Sequence, residues 1–210
     1  MTREVLRVTL TPEECAQAIE IGRARHAEHE RAGRFDTRVD PRAGVKLHIQ
    51  GALAEKAVAV ALKLEWDGAF RRLDEWLEWR ESGGDVGGGI QVKATDRLDG
   101  CLLLQKHNDR FELGGDARSD VQRNAYVLVL TLRSTYPTMF LIGWRFGDEA
   151  RQPTFWDANM PRPCWRVRQN NLRSIRALAK FFPRDRKRTK WVTECQREPL
   201  PDSSKPAASK

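Results

Sequence analysis

The chain has 210 residues, 40% of them apolar and 31% charged, which is enough apolar content for a domain-sized core and too much for a disordered chain. No stretch approaches the ~18 consecutive apolar residues of a membrane span. Residues Met1 to Leu10 carry Arg3, Glu4 and Arg7 instead of an apolar signal core, and the four cysteines, at 15, 101, 164 and 195, form no CxxC pair, so neither secretion nor a zinc ribbon or disulfide framework is expected.

In chain order, Thr11-Pro12-Glu13-Glu14 has the marks of a helix start. Thr11 suits the N-cap, Pro12 the first helical position, and Glu14 lies where a capping box needs it. The helix is expected to run to about Ala32. It contains His26 and His29, an HxxH spacing that puts both imidazoles on one face, with no cysteine nearby to complete a metal set. Residues 33–47 are polar, with Gly33, Asp40-Pro41 and Gly44, and read as a loop. His48 to Leu64 is rich in Ala, Leu and Val and reads as a largely buried helix interrupted by one acid, Glu55. A buried carboxylate needs a partner; the plainer alternative is a Glu55 that faces solvent beside Lys56.

A strand near Phe70 and a Trp-rich stretch over 65–82 come next, then the turn signal Ser82-Gly83-Gly84-Asp85-Val86-Gly87-Gly88-Gly89. Ile90 to Thr95 alternates and reads as a strand, as do Leu102 to Gln105, Ala125 to Leu132 and Thr138 to Phe146. Leu172 to Phe182 reads as a helix, with Leu172, Ile175, Leu178 and Ala179 on one stripe. Residues 201–210 are expected to be disordered. The element order points to an α/β (α+β) fold with a central mixed sheet flanked by helices.

Glu55, Asp85 and Gln91-x-Lys93 form the constellation with chemistry in it. Positions two apart on a strand share a face, so Gln91 and Lys93 point one way and Val92 the other. Asp85 sits across the turn from Gln91. Two carboxylates and an amide oxygen make an all-oxygen donor set, which suits Mg²⁺ or Mn²⁺ rather than zinc. A lysine beside it can stabilise charge developing on a phosphate. Taken singly, the glycine-rich turn and the QVK strand are ordinary local structure.

Taken in order, Gly51-x-x-x-Glu55, Gly84-Asp85-Val86-Gly87-Gly88 and Ile90-Gln91-Val92-Lys93 resemble the PD-(D/E)XK nuclease superfamily, most of all its small phage and bacterial members with a QxK motif. The resemblance implies a restriction-endonuclease-like core over 48–160, with an N-terminal helical extension over 1–47. It implies a metal-dependent deoxyribonuclease of a bacterial or phage-infected cytoplasm, using Mg²⁺ with Mn²⁺ as substitute. Asp85 would be the main metal ligand, Glu55 a second one, Gln91 would stand where the family most often has an acid, the Val92 carbonyl would complete the coordination, and Lys93 would be the catalytic lysine. Gln91 brings no charge, so the set supports one metal ion in the free protein. A homodimer is compatible with cutting both strands.

The net charge of +8 comes from one segment. Arg162 to Lys190 holds eleven Lys/Arg and one acid, Asp185, while residues 1–161 sum to −2. Such a cluster neutralises phosphates, so residues 161–192 are expected to bind nucleic acid through Arg166, Arg168, Arg173, Arg176, Arg184, Arg186, Lys187 and Arg188, with a disordered tail over 193–210. Two rival readings remain. One is a nuclease-like DNA-binding module whose chemistry has lapsed, which Gln91 favours. The other is a phage structural or regulatory protein that binds a protein partner through the Trp-rich 65–80 region.

Overall fold

The computed structural model describes residues 4–33, 41–66, 68, 85–87, 89–105 and 124–181. Seven strands and four α-helices are found among them: β1 Leu6–Thr9, α1 Pro12–Arg31, α2 Pro41–Leu62, β2 Ile90–Thr95, β3 Leu102–Gln105, β4 Ala125–Leu130, β5 Thr138–Phe146, α3 Gly147–Ala150, β6 Trp156–Asp157, β7 Cys164–Val167 and α4 Ile175–Leu178. The fold is mixed α/β. None of the helices is long and apolar enough to cross a membrane.

The main sheet has the order β1-β5-β4-β2. Its β1/β5 and β4/β5 pairs are antiparallel and its β2/β4 pair is parallel, so it is the mixed sheet that the element order implies. Residues expected to form an N-terminal extension supply β1 to this sheet and α1 to its cover. A second sheet, β3-β7-β6, is antiparallel.

Strand alternation divides the core in two. Ile90, Val127, Val129, Leu141 and Trp144 face Ala18 of α1 and Ala52, Val58 and Leu62 of α2. Tyr126, Leu128, Leu130 and Ile142 face Leu102, Leu104 and Val167 of the second sheet. The molecule is thus layered as helices, main sheet and second sheet, and every residue of β4 is buried.

Helix α1 starts as its sequence dictates. The Glu14 amide donates to Thr11 Oγ1 at 3.2 Å, and the Thr11 amide donates to the Glu14 carboxylate at 2.9 Å, closing the capping box. Helix α2 begins at Pro41, not at His48. Asp40-Pro41 looks like a turn, but a proline is tolerated in the first turn of a helix, where its missing N–H has no intrahelical acceptor. The two helices lie very close. A Cβ on Gly22 of α1 would come within 2.5 Å of the Ile49 backbone, and one on Gly44 of α2 within 2.9 Å of the His26 ring.

The C-terminal helix is shorter than its stripe suggests. Leu172 is extended, Ser174 caps Arg176, and only Ile175–Leu178 is α-helical. Ile175 and Leu178 do bury on the helical side of the sheet. The expected strand near Phe70, the expected tail and most of the Trp-rich stretch lie outside the described residues.

Candidate active site

Glu55 lies on the sheet-facing side of α2 and is 6% exposed, so it does not face solvent. Lys56 points elsewhere, donating to Gln17 at 2.9 Å and lying over the Trp66 ring. The partner that a buried acid requires comes from α1. Arg25 Nη1 donates to Oε1 at 2.6 Å and Nη2 donates to Oε2 at 2.8 Å, a two-pronged pair. The Trp66 indole N–H donates to Oε2 at 3.1 Å.

Asp85 is placed by the turn between Val86 and Ile90. Its amide donates to the Ile90 carbonyl at 2.7 Å, and Val86 and Ile90 exchange bonds of 3.1 and 3.2 Å. Gly87, at φ +57°, turns the chain in the left-handed region. The carboxylate is then pinned to the next strand, where the Val92 amide donates to Oδ2 at 2.7 Å. That N–H points away from β4. The N–H and C=O of one strand residue point to the same edge, so the Val92 carbonyl also faces the Asp85 side. Among the described residues, Oδ1 accepts no hydrogen bond.

Burial, with the Glu55 charge second, pushes the Asp85 carboxyl up to about 6; Lys93, the Val92 amide and Arg25 pull the other way. Asp85 therefore lies within electrostatic reach of both Glu55 on α2 and Lys93 on β2. Gln91 and Lys93 pair with Tyr126 and Leu128 of β4, which are core residues facing the second sheet, so the two side chains share that face. Neither is engaged in a hydrogen bond or ion pair among the described residues.

Lys93 borders a groove of about 690 Å³ along the outer edge of β2. Leu47 and Gln50 of α2 form one wall, Thr95 and Arg97 continue from Lys93, and Arg166 of β7 closes the opposite side. Arg97 is held by Asp99 at 3.2 Å and Arg166 by Asp157 at 3.5 Å. The cationic rim of the groove thus consists of Lys93, Arg97 and Arg166, the last two partly balanced by Asp99 and Asp157, around a polar and apolar lining.

Of the other expected phosphate-binding residues, Arg168 is exposed after β7. Arg173 pairs with Glu149 at 2.5 Å and Arg176 with Glu4 at 2.8 Å, so acidic partners offset both charges. Arg184, Arg186, Lys187 and Arg188 lie outside the described residues, as do Trp76 and Trp79.

His48 faces α1 rather than the groove. Its ring lies 4.6 Å from His29 and 5.6 Å from His26, centroid to centroid. Burial, His29, His26 and Arg25, in that order, hold its pKa down to about 4. The described residues hold no group of three His, Cys, Asp or Glu arranged for a metal ion.

The donors around Asp85 do fit one hard divalent cation: a carboxylate oxygen, a backbone carbonyl on the same strand edge, and a second carboxylate on α2. Arg25 and Trp66 carry no sequence signal of their own. Arg25 is one of many charges on α1, and only tertiary packing brings it to Glu55. Compared with protein-family models, curated proteins and solved structures, the chain matches none.

Proposed function

We propose that this chain is a divalent-metal-dependent nuclease hydrolysing phosphodiester bonds of DNA. The observation that carries the reading is Asp85, pinned by the Val92 amide on the outer edge of β2 and under the influence of both Glu55 and Lys93. The likeness of Glu55, Asp85 and Gln91-x-Lys93 to the PD-(D/E)XK pattern supports it, and so does the groove of about 690 Å³ that Lys93 borders.

Asp85 and the Val92 carbonyl would hold Mg²⁺ or Mn²⁺, with Glu55 as the second acid. The bound ion would supply charge neutralisation on the scissile phosphate and a more acidic water. Lys93 is uncommitted and borders the groove, so its ammonium is placed to donate to a phosphate oxygen as negative charge builds on it. Gln91 shares the Lys93 face of β2 and adds no charge. Arg166 and Arg97 steady the flanking backbone, and the basic segment beyond residue 181 adds phosphate contacts.

The test is cleavage of labelled duplex, single-stranded and branched DNA in Mg²⁺, Mn²⁺ or EDTA, with wild type beside Lys93→Ala. Metal-dependent cutting that vanishes in the variant is the expected result. Bound but uncut DNA in every metal would favour the second reading, a DNA-binding module that has lost its chemistry. Gln91 and the engaged state of Glu55 are the observations on that side.

A further inference from the structure

We propose that Arg25 is a counter-charge latch on Glu55 that sets how tightly the site takes a divalent ion. The inference rests on the metal-dependent reading of the site and adds a positioning residue from α1 to it.

Both oxygens of Glu55 are occupied. Arg25 takes one with each terminal nitrogen, at 2.6 and 2.8 Å, and Trp66 adds a bond to Oε2 at 3.1 Å. A planar guanidinium matched to a planar carboxylate is a specific fit, unlike a diffuse surface pair. The carboxylate is 8% exposed and the guanidinium 26% exposed as side chains, so solvent screens the pair only in part. Among the described residues Oε1 accepts one bond and keeps a lone pair, but a cation there would sit beside the Arg25 guanidinium.

Charge arithmetic gives the consequence. Arg25 and Lys93 are positive, Glu55 and Asp85 negative, so the four groups sum to zero. Four groups whose charges cancel attract a dication less than the two carboxylates alone would. Without Arg25 the same donors carry a net negative charge, and Gln91 supplies none of the missing acid that would otherwise restore it. The latch thus does in the metal-free protein what the cation does in the loaded one: it neutralises Glu55. A bound cation would share Glu55 with Arg25 or take over its neutralisation.

The pair is also held in place from behind. Gly22, one turn before Arg25, lets α1 approach the Ile49 backbone of α2, which fixes the distance that the Arg25 side chain spans. The latch is therefore a property of helix packing, not a chance surface contact.

The experiment is calorimetric titration of Mn²⁺ into DNA-free protein, for wild type, Arg25→Met, Arg25→Gln and Arg25→Lys, each with a melting curve. Met and Gln are expected to tighten Mn²⁺ binding about tenfold or more, because a full charge beside a dication is removed from partly buried surroundings. Lys keeps the charge and is expected to stay near wild type. Adding Asp85→Asn to Arg25→Gln should abolish the gain. A merely structural arginine would lower the melting temperature without tightening the ion, and unchanged or weaker Mn²⁺ binding in folded Arg25→Gln, with wild type still binding, overturns the latch alone. If Met fails to fold, Gln decides, since it can still donate to Glu55. Absence of Mn²⁺ binding in wild type and in both neutral variants overturns the latch and the metal-dependent reading together.

Discussion

The Val92 amide donates a 2.7 Å hydrogen bond to Oδ2 of Asp85. This bond joins the turn to β2 and orients a carboxylate that feels the charges of both Glu55 and Lys93. Asparagine can accept the same bond while removing the charge. Asp85→Asn is therefore expected to raise the melting temperature of the metal-free protein at pH 7.5 by about 2–4 °C, from about 1 kcal/mol of relieved desolvation and repulsion, discounted for solvent screening. Mg²⁺ should stabilise wild type and leave the variant unmoved, which differential scanning calorimetry with and without EDTA will show.

Asp85 and His48 oppose each other in acid. The Asp85 carboxyl, at about 6, lies above its ordinary range, so the native state keeps a proton that the unfolded chain loses, and its contribution weakens stability as pH rises from about 4 through 6. His48, at about 4, lies below the ordinary imidazole value of about 6.5. The unfolded chain takes that proton first, so the His48 contribution weakens stability as pH falls from about 6.5 towards 4. In EDTA, His48→Gln should flatten the acid loss and Asp85→Asn should steepen it, as melting temperatures from pH 4 to 7.5 will report.

Lys93→Ala is expected to slow cleavage by about 10²–10³, the loss typical of removing one donor to developing charge. DNA affinity should change little, because the cationic rim supplies the holding contacts. Single-turnover rates beside equilibrium binding separate the two effects.

Changing Arg184, Arg186, Lys187 and Arg188 together to glutamine should weaken DNA binding and reduce the slope of log affinity against log salt by about 3–4, near 0.9 per lost phosphate contact. The metal requirement should be unaltered. An unchanged slope would refute the role of this segment.

Gly22→Ala should destabilise the protein by about 1–3 kcal/mol, because the new methyl meets backbone rather than a flexible side chain. Urea denaturation measures this directly.

The legible parts of the fold were those with local causes. The Thr11–Glu14 box names its own helix, alternation marks Ile90–Thr95, and an apolar run marks Thr138–Phe146, which is buried from Thr138 to Trp144. What escaped was short or tertiary. Leu6–Thr9 and Cys164–Val167 are four-residue strands with arginine inside them, too brief for a period to show. Asp40-Pro41 and Gly44 resemble a loop, yet Gly44 serves the approach of α2 to the His26 ring. The stripe from Leu172 is split: Ile175 and Leu178 bury on the helical side, Leu172 packs toward the second sheet, and Ser174 caps a single turn.

The candidate site follows the same rule. The turn and strand motifs bring Asp85, Gln91 and Lys93 together within a few residues, so their order could be read directly. Arg25 and Trp66 sit 30 and 11 positions from Glu55, and nothing in their neighbourhoods announces the contact. Glu55 looked like an acid in search of a partner, and the identity of that partner is a result of helix packing alone.

The Arg25–Glu55 pair lies wholly within α1 and α2 and spans 30 positions, whereas Thr9 and Thr138 of the β1/β5 pair lie 129 apart. Closing the helix hairpin therefore costs less chain entropy than closing the main sheet. The acid and its counter-charge are joined by the cheaper of the two loop closures.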